Sequence, residues 1–335
     1  MTIRYRWLAA LVGVVALAAN AGTASAQAKW DLYAFTGVTH PITVRYQMFA
    51  DEVKKATDGK LVITVRPAGE LPFRATEVVK ITEQGQVQLA AAYQGFISGE
   101  VPIASIASLP FLVRTAADLE KVYPIIEKYT RPAFAKHGIR TLFWQTWPEQ
   151  NIYGKGKPIK TNADFAGRKI RSTDGKQAEM LKQLGASSVN LTTPEVPVAI
   201  ERGVAEGFIT AAFNVMGAKW YEFTDWGWMG TINIGGPDYL LMNEAAYKKL
   251  PPDVQTKLDE VAAAFGPKFR AMNIGDEKGA IEALKTKHNV ALYIPPQAQI
   301  DELTNKMKPY WESWAASQGK DAVACLKEIR AALNK

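Results

Sequence analysis

Short apolar runs alternate with amphipathic helical stretches along this chain, and that alternation limits its fold more than any other feature. Trp30–Phe35 reads as a strand, and Pro41 opens a helix in which Ile42, Tyr46, Phe49, Val53 and Ala56 recur at steps of three and four. Asp58-Gly59 ends that helix, Leu61–Val65 is the next strand, Ala75–Gln84 is a helix capped by Gly85, and Val87–Tyr93 is a strand again. A helix over Ala116–Lys136 then leads to a strand at Ile139–Trp144. Repeated β-then-α units predict an α/β fold, a mostly parallel sheet with helices on both faces.

The composition turns loop-like near Trp147-Pro148, and the alternation restarts beyond it. Ala166–Arg171 enters a strand, Lys176–Leu184 is a helix, Ser187–Leu191 a strand, Glu195–Arg202 a short helix closed by Gly203, and Gly207–Thr210 a strand. This is a second α/β unit with its own core. Residues 229–243 read as extended chain crossing back towards the first unit. Pro251–His288 is a long helical stretch that Gly266-Pro267 should kink or break. Strand-like Val290–Ile294 and two amphipathic helices follow. A single core stops growing near ~300 residues, so two domains are expected. The first takes residues 27–148 with 237–276, and the second residues 149–236 with 277–335.

At the N-terminus, Arg4 and Arg6 precede an uncharged apolar run, Trp7–Ala19, and Ala24-Ser25-Ala26 supplies a small-x-small pattern. Residues 1–26 therefore read as a secretory signal cleaved after Ala26, which places the chain from Gln27 onward in the periplasm. No later segment approaches the ~18 apolar residues of a membrane span.

The formal charge is +7, or +5 without Arg4 and Arg6. Bases are interleaved with acids, as in Asp51-Glu52-Val53-Lys54-Lys55, which suits solvated helix faces and argues against nucleic-acid binding. A mildly positive field does suit a small anionic ligand. Cys325 is the only cysteine, so an intramolecular disulfide and a thiol-based zinc site are excluded. Its apolar neighbours place it on a buried helix face. His40, His137 and His288 show no metal-ligand spacing, and neither a metal nor a cofactor is expected.

Catalytic signatures are absent from the sequence: no G-x-S-x-G, no H-E-x-x-H, and no G-x-G-x-x-G after a strand. Gly154-Lys155-Gly156-Lys157 has the wrong spacing for a phosphate loop, and Pro158 stands where a helix would have to donate amides. A secreted hydrolase would need a nucleophile or a carboxylate pair that the sequence does not identify, so an enzyme is not expected. A binding constellation remains. Arg171 stands at the C-terminal end of its strand, where open α/β sheets place ligands. Its guanidinium can hold a carboxylate through two parallel hydrogen bonds, although the residues alone leave a structural ion pair with Asp174 open. Trp144, Trp220, Trp226 and Trp228 read as core, whereas Trp147 and Phe213 read as loop residues at strand ends, available to a pocket.

The order of several segments then points to a family. Phe49-Ala-Asp-Glu-Val-Lys-Lys-Ala-Thr-Asp-Gly-Lys-Leu, Pro67-Ala-Gly-Glu-Leu and Gln84-Gly-Gln-Val-Gln-Leu come first. Phe165-Ala-Gly-Arg-Lys-Ile-Arg, Leu184-Gly-Ala and Glu195 through Gly207 follow in the second half. Over essentially the whole chain this series resembles the DctP-type binding proteins of TRAP transporters. The resemblance implies a two-domain periplasmic-binding-protein architecture with crossing strands and a long bracing helix. It implies a small organic acid closed between the domains and integral-membrane TRAP permease subunits as partners, the chain itself being a monomer. The family's carboxylate-holding arginine corresponds to Arg171. Sialic-acid binders carry a second arginine where Asn151 stands, the family's usual asparagine is Thr210, and a tyrosine of the family is Pro197. Gln150 matches a glutamine of the keto-acid binders, whose cation-holding glutamate is missing near Gly235-Gly236, so no metal is expected. The candidate ligand-binding set is Arg171, Gln150, Asn151, Trp147, Thr210, Phe213, Tyr93, Phe35 and His40. Few charges and many aromatics point to a monocarboxylate with an apolar, aromatic or branched body. The alternative carrying the same architecture is the binding component of an ATP-driven importer.

Overall fold

The computed structural model describes residues 27–335, and the expected secretory segment lies outside them. The first half runs β1 (Ala28–Tyr33), α1 (Pro41–Ala56), β2 (Leu61–Arg66), α2 (Val78–Glu83), β3 (Leu89–Tyr93) and α3 (Ala116–Ala135) into a long strand, β4 (Ile139–Gly154). The second runs β5 (Lys169–Ser172), α4 (Gly175–Gln183), β6 (Ser187–Asn190), α5 (Val196–Glu201), β7 (Gly207–Thr210) and α6 (Ala212–Gly217) into another, β8 (Trp226–Asn243). The chain finishes with α7 (Glu244–Lys248), α8 (Pro252–Thr286), β9 (Ala291–Tyr293), α9 (Gln297–Gln318) and α10 (Lys320–Leu333).

All these strands form one sheet in the order β2-β1-β3-β8-β4-β7-β5-β6, with β9 also on β8. Each end of the sheet is a parallel triplet, β2-β1-β3 and β7-β5-β6, as βαβ connections require. Between the triplets, β4 and β8 pair antiparallel along nearly their whole length and carry the chain from one triplet to the other. The fold is thus the α/β architecture read from the sequence.

Local chemistry sets the elements that matter for function. In α1, Pro41 sits in the first turn, and the His40 imidazole accepts the Ile42 N–H at 3.1 Å. Ile42, Tyr46, Phe49 and Val53 bury one face, and Asp58 and Gly59, both at positive φ, end the helix. In α8, Val254, Leu258, Ala262, Phe265 and Phe269 form the same kind of stripe. Further along, that buried face turns polar at Asn273 and Glu277.

Two expectations are overturned. Residues around Trp147-Pro148 are strand, not loop: β4 is continuous, with register shifts between Gln145 and Trp147 and between Trp147 and Glu149. Bulges are where a strand tolerates proline, because the missing N–H is not needed there. Of the kink or break expected at Gly266-Pro267, the break does not occur: the long helix is continuous for 35 residues, about 52 Å at 1.5 Å per residue. A Cβ on Gly266 would stand 3.1 Å from the Phe143 Cβ, so the glycine lets α8 lie close on β4, and that packing holds the helix through the proline. Residues 148, 236 and 276, where the expected domains meet, lie in β4, β8 and α8, the elements that run between the two halves.

Candidate ligand-binding site

Arg171 lies on β5, hydrogen-bonded between β6 and β7, and is only 2 % exposed. Its Nε donates to Leu191 O at 2.9 Å and its Nη1 to Ile209 O at 3.0 Å. Burial pulls its pKa down to about 10, still charged at neutral pH. Asp174 does not pair with it. That carboxylate instead caps α4, accepts the Ser108 Oγ–H at 2.9 Å and lies 3.7 Å from Lys176 Nζ. Among the described residues no carboxylate stands within ion-pair distance of Arg171. Two of its five N–H groups are taken by backbone carbonyls, which leaves Nη1 and Nη2 as the only edge able to make two parallel bonds.

Arg171 lines a cavity of about 20 Å³, room for roughly one water. Phe35, Tyr93, Phe96 and Trp147 line one side, and Gln150, Thr173, Thr193, Thr210 and Asn214 complete it with Arg171. Strand ends and helix starts supply them: Tyr93 ends β3, Thr210 ends β7, and Asn214 is in the first turn of α6. Two clefts of about 610 Å³ lie elsewhere, one beside α3 and α7 and one behind β8. Both are larger. In the first, Arg140 has Asp259 and Arg131 has Glu127; in the second, Arg114 donates to the carbonyls of Gly230 and Thr231, as Arg171 does to its own two, but it is only half-buried, so water can serve its charge.

The structure thus brings six of the nine candidates, Arg171, Gln150, Trp147, Thr210, Tyr93 and Phe35, to one cavity. Asn151 is not among them. Side chains alternate along β4, so Asn151 faces the opposite way from Gln150, accepts the Thr231 N–H at 2.9 Å and lines the cleft behind β8. His40 and Phe213 stand one layer behind the wall, against the Trp147 indole at 5.5 and 5.9 Å between ring centres. Trp147 and Phe213 are also not loop residues: the first is in β4 and the second in α6. Phe96, Thr173, Thr193 and Asn214 were not anticipated. Loops and helix starts present them, where strand and helix periodicity carries no signal.

A polar layer supports the wall. His40 Nδ1 accepts from Ile42, so Nε2 carries the proton and donates to Asn214 Oδ1 at 3.2 Å. Asp238 is fully buried on β8 and accepts hydrogen bonds on Oδ2 from the Trp147 indole at 2.8 Å and from Gln145. Its Oδ1 has no partner among the described residues. Gln145 is held by Asn273, which also binds Arg45. One turn further along α8, Glu277 accepts the first two amides of α6, Ala212 N at 3.0 Å and Phe213 N at 2.6 Å. Gly235 makes the layer possible, since a Cβ there would stand 2.5 Å from Trp147 Cβ and 2.6 Å from Gln150 Nε2.

Burial pushes the Asp238 carboxyl up to about 8 and the Glu277 carboxyl up to about 7, and pulls His40 down to about 4. A raised carboxyl pKa means that the folded chain holds a proton the unfolded chain has released, so stability falls as pH rises towards the folded value. His40 acts oppositely, but only below its ordinary value of 6.5. Between pH 6.5 and 8, unfolding free energy is therefore expected to fall by about 2 to 2.5 kcal/mol. Denaturant titrations across that range should show a shallower slope in Asp238→Asn, and an unchanged slope would contradict the assignment.

Comparison with known proteins places the chain. Residues 34–318 match the family described as bacterial extracellular solute-binding protein, family 7, DctP. The chain is 25% identical over 339 residues to the ectoine/5-hydroxyectoine-binding periplasmic protein UehA of Ruegeria pomeroyi, covering 96% of this chain and 95% of that one. In structure it is similar to DctP7 of Bordetella pertussis, an extracytoplasmic solute receptor binding pyroglutamic acid, with a TM-score of 0.84 and 25% identity over 90% of this chain and 99% of that one. A TRAP solute-binding protein from a marine metagenome, specific for pyroglutamate, gives 0.83 and 26% identity over 91% and 99%. On the strength of that family match, the chain belongs to the DctP family of bacterial extracellular solute-binding proteins.

Proposed function

We propose that this chain captures a compact monocarboxylate in the periplasm by closing two lobes around it, and delivers it to a TRAP-type membrane permease. The observation that carries this is Arg171, a buried guanidinium with no carboxylate partner among the described residues, which lines an aromatic-walled cavity with its Nη1/Nη2 edge left for a ligand. A ligand carboxylate would complete the missing ion pair. Gln150, Thr210, Asn214, Thr173 and Thr193 supply hydrogen bonds for orientation, and Phe35, Tyr93, Phe96 and Trp147 supply the apolar walls. Two relatives of at least 25% identity are receptors for pyroglutamate, a compact ring with one carboxylate. Family membership favours a TRAP permease over an ATP-driven importer as the acceptor.

Lobe closure is the mechanism. The cavity walls come from both halves of the chain, and even a compact acid exceeds the space between them, so entry requires the walls to part. Bonds between the halves hold the closed form: His40 to Asn214, Ser108 to Asp174, Lys176 to Ser105 at 2.8 Å, and Arg74 to Glu195 at 2.5 Å. A ligand that touches both walls shifts the population towards this form. No bond-making step is needed.

A second ligand carboxylate would meet cations that are already occupied. Arg66 holds Asp31 and Glu70, Arg74 holds Glu195, and Lys176 stands beside Asp174. Burying an unpaired carboxylate costs several kcal/mol. In a thermal-shift panel, L-pyroglutamate or another compact monocarboxylate should therefore raise the melting temperature more than succinate does. At one hundred times the Kd the ligand adds about 2.7 kcal/mol of stability, a shift the assay resolves. A larger shift with succinate than with every monocarboxylate would overturn the ligand class.

A further inference from the structure

The Trp147 indole is held by two different kinds of contact. Rings surround its face: Phe35 stacked at 6.1 Å between ring centres, His40 at 5.5 Å, Phe213 at 5.9 Å and Tyr93 at 6.4 Å. Ring packing alone resists separation but leaves in-plane sliding and rotation soft. The Nε1–H supplies the missing restraint, because it donates to Asp238 Oδ2 at 2.8 Å.

Asp238 is costly where it stands. It is 0 % exposed, no cation lies within ion-pair distance of it among the described residues, and one of its oxygens has no partner. A neutral amide could accept the same two hydrogen bonds at lower cost, and burying a lone carboxyl group detracts from stability. The group is itself fixed from behind. Gln145, its other donor, is gripped by Asn273 on α8 through a 2.6 Å bond to Oε1, and Asn273 also donates to Thr146 O at 2.8 Å. The restraint on the indole is therefore anchored to the long helix and to the neighbouring strand, not to a mobile loop.

We propose that Asp238 is a positioning residue for ligand size: it sets how far the Trp147 wall reaches into the cavity and so which acids fit against Arg171. The proposal rests on Trp147 walling the ligand cavity, as described above. It goes further in assigning size selection to a residue that touches no ligand and acts through one hydrogen bond. With the bond intact, the wall is fixed and compact acids are favoured. Without it, the indole is free to turn, the contact with a compact acid loosens, and a bulkier acid gains room.

A double-mutant cycle tests this, with L-pyroglutamate and benzoylformate as probes in calorimetric titrations. Asp238→Ala should weaken L-pyroglutamate binding about tenfold, the worth of one buried hydrogen bond, and shift the affinity ratio towards benzoylformate by a similar factor. Asp238→Asn, which keeps an acceptor oxygen, should restore the ratio to within about twofold. In a Trp147→Phe background, which has no N–H to hold, Asp238→Ala should leave the ratio unchanged. An equal effect in both backgrounds would show that Asp238 serves general stability only, and would overturn the proposal. Indole exchange gives a readout without ligand. The Trp147 N–H resonance, assigned by its loss in Trp147→Phe, should stay protected from exchange in Asp238→Asn and lose protection in Asp238→Ala. Retained protection in Asp238→Ala would overturn the proposal too. If the unmutated chain binds neither probe, the proposed ligand class fails, and the exchange experiment still decides whether Asp238 positions the wall.

Discussion

Arg171→Lys should weaken capture of a monocarboxylate by roughly 2–5 kcal/mol, from about 30-fold to more than 1,000-fold in Kd. The size of the effect follows from what the guanidinium does in place. Its Nε and Nη1 are anchored on the carbonyls of Leu191 and Ile209, which fixes the guanidinium in the cavity lining and leaves the Nη1/Nη2 edge for a ligand. A lysine ammonium is a single point charge with no fork, and it cannot reach two backbone acceptors and a carboxylate with that geometry. It would also lose the backbone anchors, leaving two buried carbonyls to find other donors. Arg171→Met should abolish binding, since no positive charge would remain on that strand end. Both proteins should be checked for the native circular dichroism spectrum before titration. Wild-type affinity in a folded Arg171→Lys protein would remove Arg171 from the ligand contact.

The largest effect on stability should come from the other charged group at that end of the sheet. Asp174 is buried, caps α4 through the amides of Lys176 at 2.8 Å and Gln177 at 3.0 Å, and lies 3.7 Å from Lys176 Nζ. Lys176 is buried as well, and burial pulls its pKa down. Asp174→Ala removes the only carboxylate that, among the described residues, lies in ion-pair distance of that ammonium, and uncaps the helix at once. Breaking one side of a buried pair typically costs about 3–5 kcal/mol, and the lost cap adds about 1 kcal/mol more. Replacing both partners, in Asp174→Ala with Lys176→Met, should recover much of the loss, because the stranded charge is gone. Urea unfolding with unchanged m-values measures this. A cost below about 1 kcal/mol for the single change would show that the pair is solvated in solution.

Helix periodicity and turn residues made most elements readable in advance. The three- and four-residue recurrence in α1, the Gly85 and Gly203 stops and the apolar strands all mark elements that local chemistry alone can specify. Pro148 and Pro267 misled for a shared reason: each is a breaker by local rules, and each is held in a regular element by neighbours distant in sequence. In β4 those neighbours are the bulged pairs with β8, and in α8 they are the close packing of Gly266 on Phe143. Reading 139–154 as one strand would also have put Gln150 and Asn151 on opposite faces, which separates the cavity residue from the one behind it. That Arg171 would line a cavity was legible from its place at a strand end, whereas its role as the carboxylate holder came with the family resemblance and stands as a proposal. Asp238 was not, because its partners Gln145 and Trp147 are 93 and 91 residues away and join it only through the β4–β8 pairing.

The central claim is that a carboxylate ligand completes the unpaired Arg171 inside the closed cleft. A crystal structure of the chain from Gln27 onward with its best thermal-shift acid tests this most directly. The account predicts one carboxylate on the Nη1/Nη2 edge of Arg171, with the ligand body between Trp147, Phe35 and Tyr93 and the two halves closed over it. A ligand carboxylate held elsewhere, in the cleft beside Arg114 and Lys335 for instance, with Arg171 untouched, would contradict it.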